Sequence, residues 1–235
     1  VSMLRKLLAE HRPDAIAVAF DLEGPTFRDG LAEDYKANRA PMPADLADQI
    51  PWIHQACAAL GVPVVTAAGF EADDVIGTLA KQGEAAGYDV AIVTGDKDFF
   101  QLVGGRVRVF NPRDEGTWYD AAGVTDKFGV PPERVIDALA IMGDASDNVK
   151  GVPGIGEKGA RDLLAQFGSL DALLEGAAGV AQKRYREALL AHADAARASR
   201  ELVTIRTDVP LDLGLEPLRY RGPDREACYA LFSQL

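Results

Sequence analysis

Val90-Ala91-Ile92-Val93-Thr94-Gly95-Asp96-Lys97-Asp98 decides the fold. Its first four residues are apolar, and three of them are β-branched. A continuous run this short reads as a strand buried on both faces, the condition of a parallel sheet. The run ends in two carboxylates, at the sheet edge where open α/β folds bind their ligands. Ala15–Phe20 repeats the pattern and leads into Asp21. Val62–Ala67 and Arg106–Phe110 read as two further strands. Helical periodicity fills the intervals at Pro43–Leu60, Glu71–Gly87 and Lys97–Val103. Strands alternating with helices predict a mainly parallel α/β sheet flanked by helices.

Past Pro131 the character changes. Glu133–Met142, Glu157–Phe167, Leu170–Glu175, Val180–His192 and Ala193–Ile205 all read as helices, with glycine punctuation and no clear strand. The expected division is an α/β core over residues 1–130 and a helical lobe over 131–235. The chain opens at Val1, inside the helical pattern Ser2–His11, with no strand before it. It stops in another helix-like stretch, Leu231–Leu235. The reading expects an excerpt of something longer.

At 235 residues the chain is long enough for one sizeable core. No apolar run approaches the ~18 residues of a membrane span, and no signal-peptide pattern is present. Cys57 and Cys228 sit among apolar neighbours in helical patterns, which fits a reducing, cytoplasmic compartment. The net charge of −11 argues against a nucleic-acid partner if taken as an average. Its distribution matters more.

The acidic residues fall into four tight clusters. They are Asp21; Glu71-Ala72-Asp73-Asp74, opening a helix; Asp96-Lys97-Asp98; and Asp144-Ala145-Ser146-Asp147, ending one. Three of the four follow predicted parallel strands. At ~4 Å in an effective dielectric of ~20, each unrelieved carboxylate pair costs ~4 kcal/mol. Divalent cations relieve that repulsion, and oxygen-only ligands select Mg²⁺ or Mn²⁺, two ions being expected. No His or Cys accompanies the clusters, which disfavours zinc. An Asp at a strand end is also ordinary turn or N-cap chemistry. Three such clusters at one sheet edge favour ligation instead.

Two further segments carry chemistry. Gly151-Val152-Pro153-Gly154-Ile155-Gly156-Glu157-Lys158-Gly159-Ala160 precedes an amphipathic helix. Its glycines permit close backbone approach, and the following helix N-terminus suits a phosphate. Lys158 and Arg161 in the first turns would oppose the helix dipole without an anionic partner. The second segment is basic: Phe27-Arg28, then Tyr35-Lys36-Ala37-Asn38-Arg39. Lys36 and Arg39 would share a helix face, and Tyr35 could stack on a base.

Taken together, Val18–Asp21, Tyr35–Pro41, Glu71–Val75, Thr94–Asp98, Gly143–Asn148 and Gly151–Ala160 closely resemble the 5′-nuclease (flap endonuclease) family, in the form of the N-terminal 5′–3′ exonuclease domain of bacterial DNA polymerase I. The resemblance implies a PIN-like nuclease core, a helical arch and a helix-three-turn-helix duplex clamp. It implies metal ligation by Asp21, Glu71, Asp73, Asp74, Asp96, Asp98, Asp144 and Asp147. It assigns Lys36 and Arg39 to catalysis, steering the scissile phosphate. It assigns Gly154, Gly156 and Lys158 to the duplex clamp, with K⁺ held there; the reading of the residues themselves adds Arg28, Tyr35, Lys36, Arg39 and Arg161 as DNA contacts. The implied partner of this monomer is DNA with a 5′ flap or 5′ end, or an RNA primer–DNA hybrid, in replication and repair. A polymerase domain would follow in the same chain. The family also has an N-terminal strand ending in another ligand Asp, ahead of where Val1 begins. A non-catalytic, structure-specific DNA-binding module is therefore the alternative reading. A small-molecule phosphatase explains neither the hairpin nor the arch.

Overall fold

A computed structural model describes residues 1–234; the last residue of the helix-like stretch expected at 231–235 lies outside the described residues. In chain order the elements open with α1 (Ser2–His11), β1 (Val18–Ala19), α2 (Phe27–Leu31), α3 (Ala44–Ala47), α4 (Ile50–Ala59), β2 (Val64–Val65) and α5 (Ala72–Ala85). They continue with β3 (Val90–Val93), a 3₁₀ helix (Lys97–Leu102), β4 (Val107–Asn111), β5 (Thr117–Tyr119), α6 (Ala121–Phe128) and α7 (Val135–Met142). The remainder is helical: α8 (Glu157–Phe167), α9 (Leu170–Glu175), α10 (Lys183–Ala191), α11 (Ala193–Val203) and α12 (Arg225–Phe232).

The chain forms two compact units that interleave in sequence. The first comprises Val1–Gly24, Ala40–Ala85 and Arg206–Leu235; the second comprises Pro25–Arg39 and Ala86–Ile205. This partition follows spatial contact and differs from a single cut near residue 130.

In the first unit β1 and β2 pair in parallel, with Val18 opposite Val64 and Ala19 opposite Val65. Val65, Val75 and Leu218 form a buried cluster, onto which Ala17, Ala19, Leu79 and Leu215 pack. Small residues in β1 let α5 lie close to the sheet. A second cluster joins Ala56 and Ala59 of α4 to Leu231 of α12. The closing segment, Arg206 onward, thus completes a core begun near residue 15.

In the second unit β3 pairs in parallel with β4, and β4 pairs antiparallel with β5. One mainly parallel sheet was expected; a two-stranded parallel sheet and a three-stranded mixed sheet are observed. The antiparallel strand comes from a tight turn at Asp114–Thr117, closed by Thr117 N–H donating to the Asp114 carbonyl at 2.9 Å. Both central residues, Glu115 (φ 53°) and Gly116 (φ 73°), are left-handed. These two left-handed residues reverse the chain within the connection, residues 112–116, between the paired Asn111 and Thr117. It went unread because β5 is three residues long and Glu-Gly is a weak turn signal.

The helices of the second unit centre on α7, whose Val135, Leu139, Ala140 and Ile141 are fully buried. Against it pack α8, α9 and α11. A helix apolar on all sides belongs in the middle of such a layer.

Candidate active site

The eight expected metal ligands divide equally between the units: Asp21, Glu71, Asp73 and Asp74 in the first, Asp96, Asp98, Asp144 and Asp147 in the second. In the first unit they surround the N-terminus of α5. Asp21 Oδ1 accepts from the Ala72 N–H at 2.7 Å. Asp74 accepts from the Glu71 N–H at 3.1 Å and from the Arg206 N–H at 2.8 Å. Four orphan N–H groups at a helix start need such acceptors, and negative charge there suits the dipole. Asp74 has no exposed surface, and a backbone donor sits on each of its oxygens. Asp74 thus clamps α5 to the returning chain at Arg206. Asp21, Glu71 and Asp73 remain at the rim of that helix start.

In the second unit the loops after β3 and α7 place two carboxylates, Asp98 and Asp144, on one ammonium, that of Lys97. Asp96 caps the 3₁₀ helix, its Oδ1 accepting from the Asp98 N–H at 2.9 Å. Lys97 Nζ donates to Asp144 Oδ2 at 2.5 Å and lies 3.3 Å from Asp98 Oδ1. Asp144 Oδ1 accepts from the Ser146 N–H at 2.9 Å and the Ser146 hydroxyl at 2.5 Å. Burial raises the Asp98 carboxyl, and Asp96 and Asp144 add to the effect; despite Lys97, it is pushed up to about 6. Burial also acts to raise Asp144, but hydrogen bonds from Lys97 and Ser146 outweigh it and hold that carboxyl low. Lys97 is raised: burial opposes its charge, and the two carboxylates overcome that.

An all-carboxylate set suits a hard divalent cation. Asp98 fits the role further: its Oδ1 is buried and accepts no hydrogen bond from any described residue. Among the described residues, no three Asp, Glu, His or Cys side chains already stand together as a metal cage. Lys97, Ser146 and backbone N–H groups hold several of the carboxylate oxygens. Lys97 was quoted in the motif and given no role. Its position between two carboxylates was the available signal.

Asp147 stands apart from Asp96 and Asp98 in its contacts. Its Oδ2 accepts from the Tyr35 hydroxyl at 3.2 Å and lies 3.7 Å from Lys36 Nζ. Its Oδ1 accepts from Arg39 Nη2 at 2.5 Å. Asp34 pairs with Lys150 at 2.5 Å, and Asn38 donates to the Ala145 carbonyl at 2.7 Å. The basic segment is therefore stapled to the loop after α7. It is a run of turns, not a helix, with Lys36 itself left-handed. Lys36 and Arg39 still converge, through their common carboxylate. Tyr35 is 8% exposed, with Lys36 Nζ 5.0 Å from its ring centroid, so its face is not open to a base here.

Arg28 requires a correction. It is 2% exposed, and its guanidinium donates to the carbonyls of Leu202 and Thr204, each at 2.8 Å. Those carbonyls lie at the C-terminus of α11, where a cation complements the dipole. Arg28 positions α11 and is not a DNA contact.

The glycine-rich segment connects α7 to α8. Val152 and Ile155 are buried, while Gly154, Gly156 and Lys158 are exposed. Gly156 is the N-cap of α8 and supplies no side-chain cap, which leaves N–H groups for an outside acceptor. Gly154 lies against the Arg184 guanidinium. Lys158 pairs with no described residue. Arg161 pairs with Glu157, so its expected conflict with the dipole is relieved inside the helix.

An α/β core with carboxylates at its strand ends, followed in sequence by a helical lobe with a glycine-rich turn, places the chain in the nuclease class of α/β proteins. Two family models then match it in succession: the N-terminal resolvase-like domain of 5′–3′ exonucleases over residues 1–129, and their C-terminal SAM fold over residues 130–226. The chain belongs to the 5′–3′ exonuclease family. Its relatives include DNA polymerase I of Chloroflexus aurantiacus, 49% identical over 99% of this chain and 25% of that protein. The thermostable DNA polymerase I of Thermus filiformis is 44% identical over 98% of this chain and 28% of that protein. The chain thus spans about a quarter of the length of these curated relatives. Among solved structures it resembles the T5 D15 protein co-crystallised with metal ions, with a TM-score of 0.78 and 25% identity over 88% of this chain and 81% of that one. The catalytic core of Rad2 in complex with DNA substrate shares the fold at a TM-score of 0.63 and 17% identity, over 99% of this chain and 76% of that one.

Proposed function

We propose that this chain hydrolyses phosphodiester bonds of DNA near a 5′ end, as a 5′–3′ exonuclease and flap endonuclease dependent on Mg²⁺ or Mn²⁺. One observation carries the reading. Asp98 and Asp144 meet around a single cationic group, Lys97, with Asp96 capping the same loop, in a chain that the exonuclease family models match over residues 1–226. Those carboxylates would hold a divalent cation. Asp21, Glu71 and Asp73, gathered about the N-terminus of α5 in the first unit, are proposed as further metal ligands. When bound, such ions activate water and stabilise the leaving oxygen of a phosphodiester. The remaining work falls to the protein. Asp96 orders the loop by capping it, and Ser146 fixes the rotamer of Asp144. Lys36 and Arg39 would take the phosphate, exchanging Asp147 for it. Gly154, Gly156 and Lys158 would hold the duplex backbone without reading sequence, K⁺ being the ion suited to carbonyls of that turn.

The substrate would be a 5′ flap or an RNA primer–DNA hybrid, met by a monomer in the cytoplasm, with a polymerase domain in the same polypeptide. The length of the curated relatives supports that last point. No helix among the described residues is long and apolar enough to cross a membrane. The test is cleavage of a labelled 5′-flap duplex with Mn²⁺ or Mg²⁺. Product that vanishes with EDTA and with Asp96→Ala, while binding persists, supports the proposal. Tight binding with no product under any metal would favour the non-catalytic module.

A further inference from the structure

Lys97 is the cation that the acidic loop supplies for itself. Its neighbours Asp96 and Asp98 belong to the carboxylate set, yet its side chain turns inward to the same set. Nζ donates to Asp144 Oδ2 at 2.5 Å and lies 3.3 Å from Asp98 Oδ1. The side chains of Asp98 and Asp144 are little exposed, at 15% and 7%, whereas Lys97 is 39% exposed. The carboxylates are therefore fixed and the ammonium sits at the mouth, on a flexible four-carbon stem.

From this geometry we propose that Lys97 is an internal counter-ion: it bridges Asp98 and Asp144 while no divalent cation is bound, and withdraws when one enters. The inference rests on the metal-dependent reading above. Two carboxylates without a cation would repel and open the loop. A divalent ion binds carboxylate oxygen at ~2.0–2.1 Å and cannot share Asp144 Oδ2 with an ammonium at hydrogen-bond distance. Ion and lysine therefore exclude one another at that oxygen. Lys97 keeps the loop assembled and sets a threshold for loading. It is a positioning residue in these terms, with no contact to substrate implied.

Mn²⁺ binding to wild type, Lys97→Met, Lys97→Gln and Lys97→Arg is measured by calorimetry on the full chain, with thermal melts in EDTA and in saturating Mn²⁺. The neutral variants should bind Mn²⁺ roughly tenfold more tightly, the size of one lost competing charge-assisted hydrogen bond. Their melting temperature should fall in EDTA and recover with Mn²⁺, a recovery that loss of packing alone would not give. Lys97→Arg, which keeps a cation, should bind as wild type does. Mn²⁺ uptake by wild type with unchanged or weaker affinity in both neutral variants overturns the counter-ion proposal alone. No uptake by wild type overturns the metal reading, and this proposal with it.

Discussion

Arg39 Nη2 stands 2.5 Å from Asp147 Oδ1, while the other oxygen of that carboxylate takes the Tyr35 hydroxyl at 3.2 Å. The Lys36 N–H adds a bond to the Asp147 carbonyl at 3.0 Å. One residue thus anchors the 35–39 turn by side chain and main chain together. Asp147→Asn keeps the shape and removes the charge. A partly exposed charge network of this kind is worth about 1 kcal/mol, or roughly fivefold in the population of the detached turn. Trypsin should cut the variant after Lys36 and Arg39 about fivefold faster than wild type. Equal rates would mean the turn is held by other contacts.

Arg28→Met should cost stability and leave DNA affinity per folded molecule unchanged. The substitution strands two α11 carbonyls that the guanidinium now satisfies, for a loss of about 2–4 kcal/mol. It also removes the stacking of Arg28 on the Phe27 ring, 4.5 Å from its centroid. Urea denaturation measures the first effect. A salt titration of DNA binding measures the second, and a shallower slope with unchanged stability would return Arg28 to the DNA contacts.

These two residues mark where the sequence stops being readable. The strand at Val90 was legible from its unbroken β-branched run, but its burial on both faces was not borne out: Ile92 is 3% exposed, whereas Val93 on the opposite face is 41% exposed. Asp96 was read for ligation and not for capping, although its capping partner, the Asp98 N–H, is only two positions away. The backbone partners of Arg28 and Asp74 were not legible, because they lie at 202–204 and 206. A basic residue beside an aromatic, or an Asp in an acidic cluster, looks the same whether it faces solvent or a distant backbone. Lys97 lies between these cases: the motif showed it, but only the fold brings Asp144 to it.

Lys158→Ala should act in the opposite way to Arg28→Met. Lys158 is exposed beside the uncapped start of α8, so its removal should leave the melting temperature within about 1 °C, as for most surface changes. If it meets a phosphate, DNA binding should weaken equally for all sequences, and the log–log salt slope should fall by about 1. A slope identical to wild type would remove Lys158 from the interface.

Gly151→Ala probes the turn between α7 and α8. Gly151 has φ 59°, and a Cβ there would fall 2.3 Å from the Gly143 nitrogen and 2.6 Å from the Ile141 carbonyl oxygen. Both obstacles are backbone, so neither can rotate away. Its N–H donates to the Ser199 hydroxyl at 3.2 Å, which ties the turn to α11. The expected cost is about 3 kcal/mol or more, from strain and overpacking together. Denaturant midpoints check it. A variant as stable as wild type would show that the α7–α8 turn is looser than this packing requires.

Asp98 sets a pH dependence whose sign follows from burial. Its carboxyl moves from 3.8 in the unfolded chain to about 6 in the folded one. Between those values the folded protein keeps a proton that the unfolded chain has lost. Stability from this group therefore declines as pH rises through the window, and the full penalty, about 3 kcal/mol at most, applies above it. Asp98→Asn cannot ionise and escapes the penalty. Asp144 moves the other way, giving stability above its unfolded value that is lost in acid, and it is present in both proteins. The stability difference between variant and wild type, measured in urea with EDTA, should therefore grow from about pH 4 to about pH 6 and stay level beyond. A difference that does not change with pH would mean that Asp98 ionises as freely in the fold as outside it, and that Lys97 and solvent offset its burial completely.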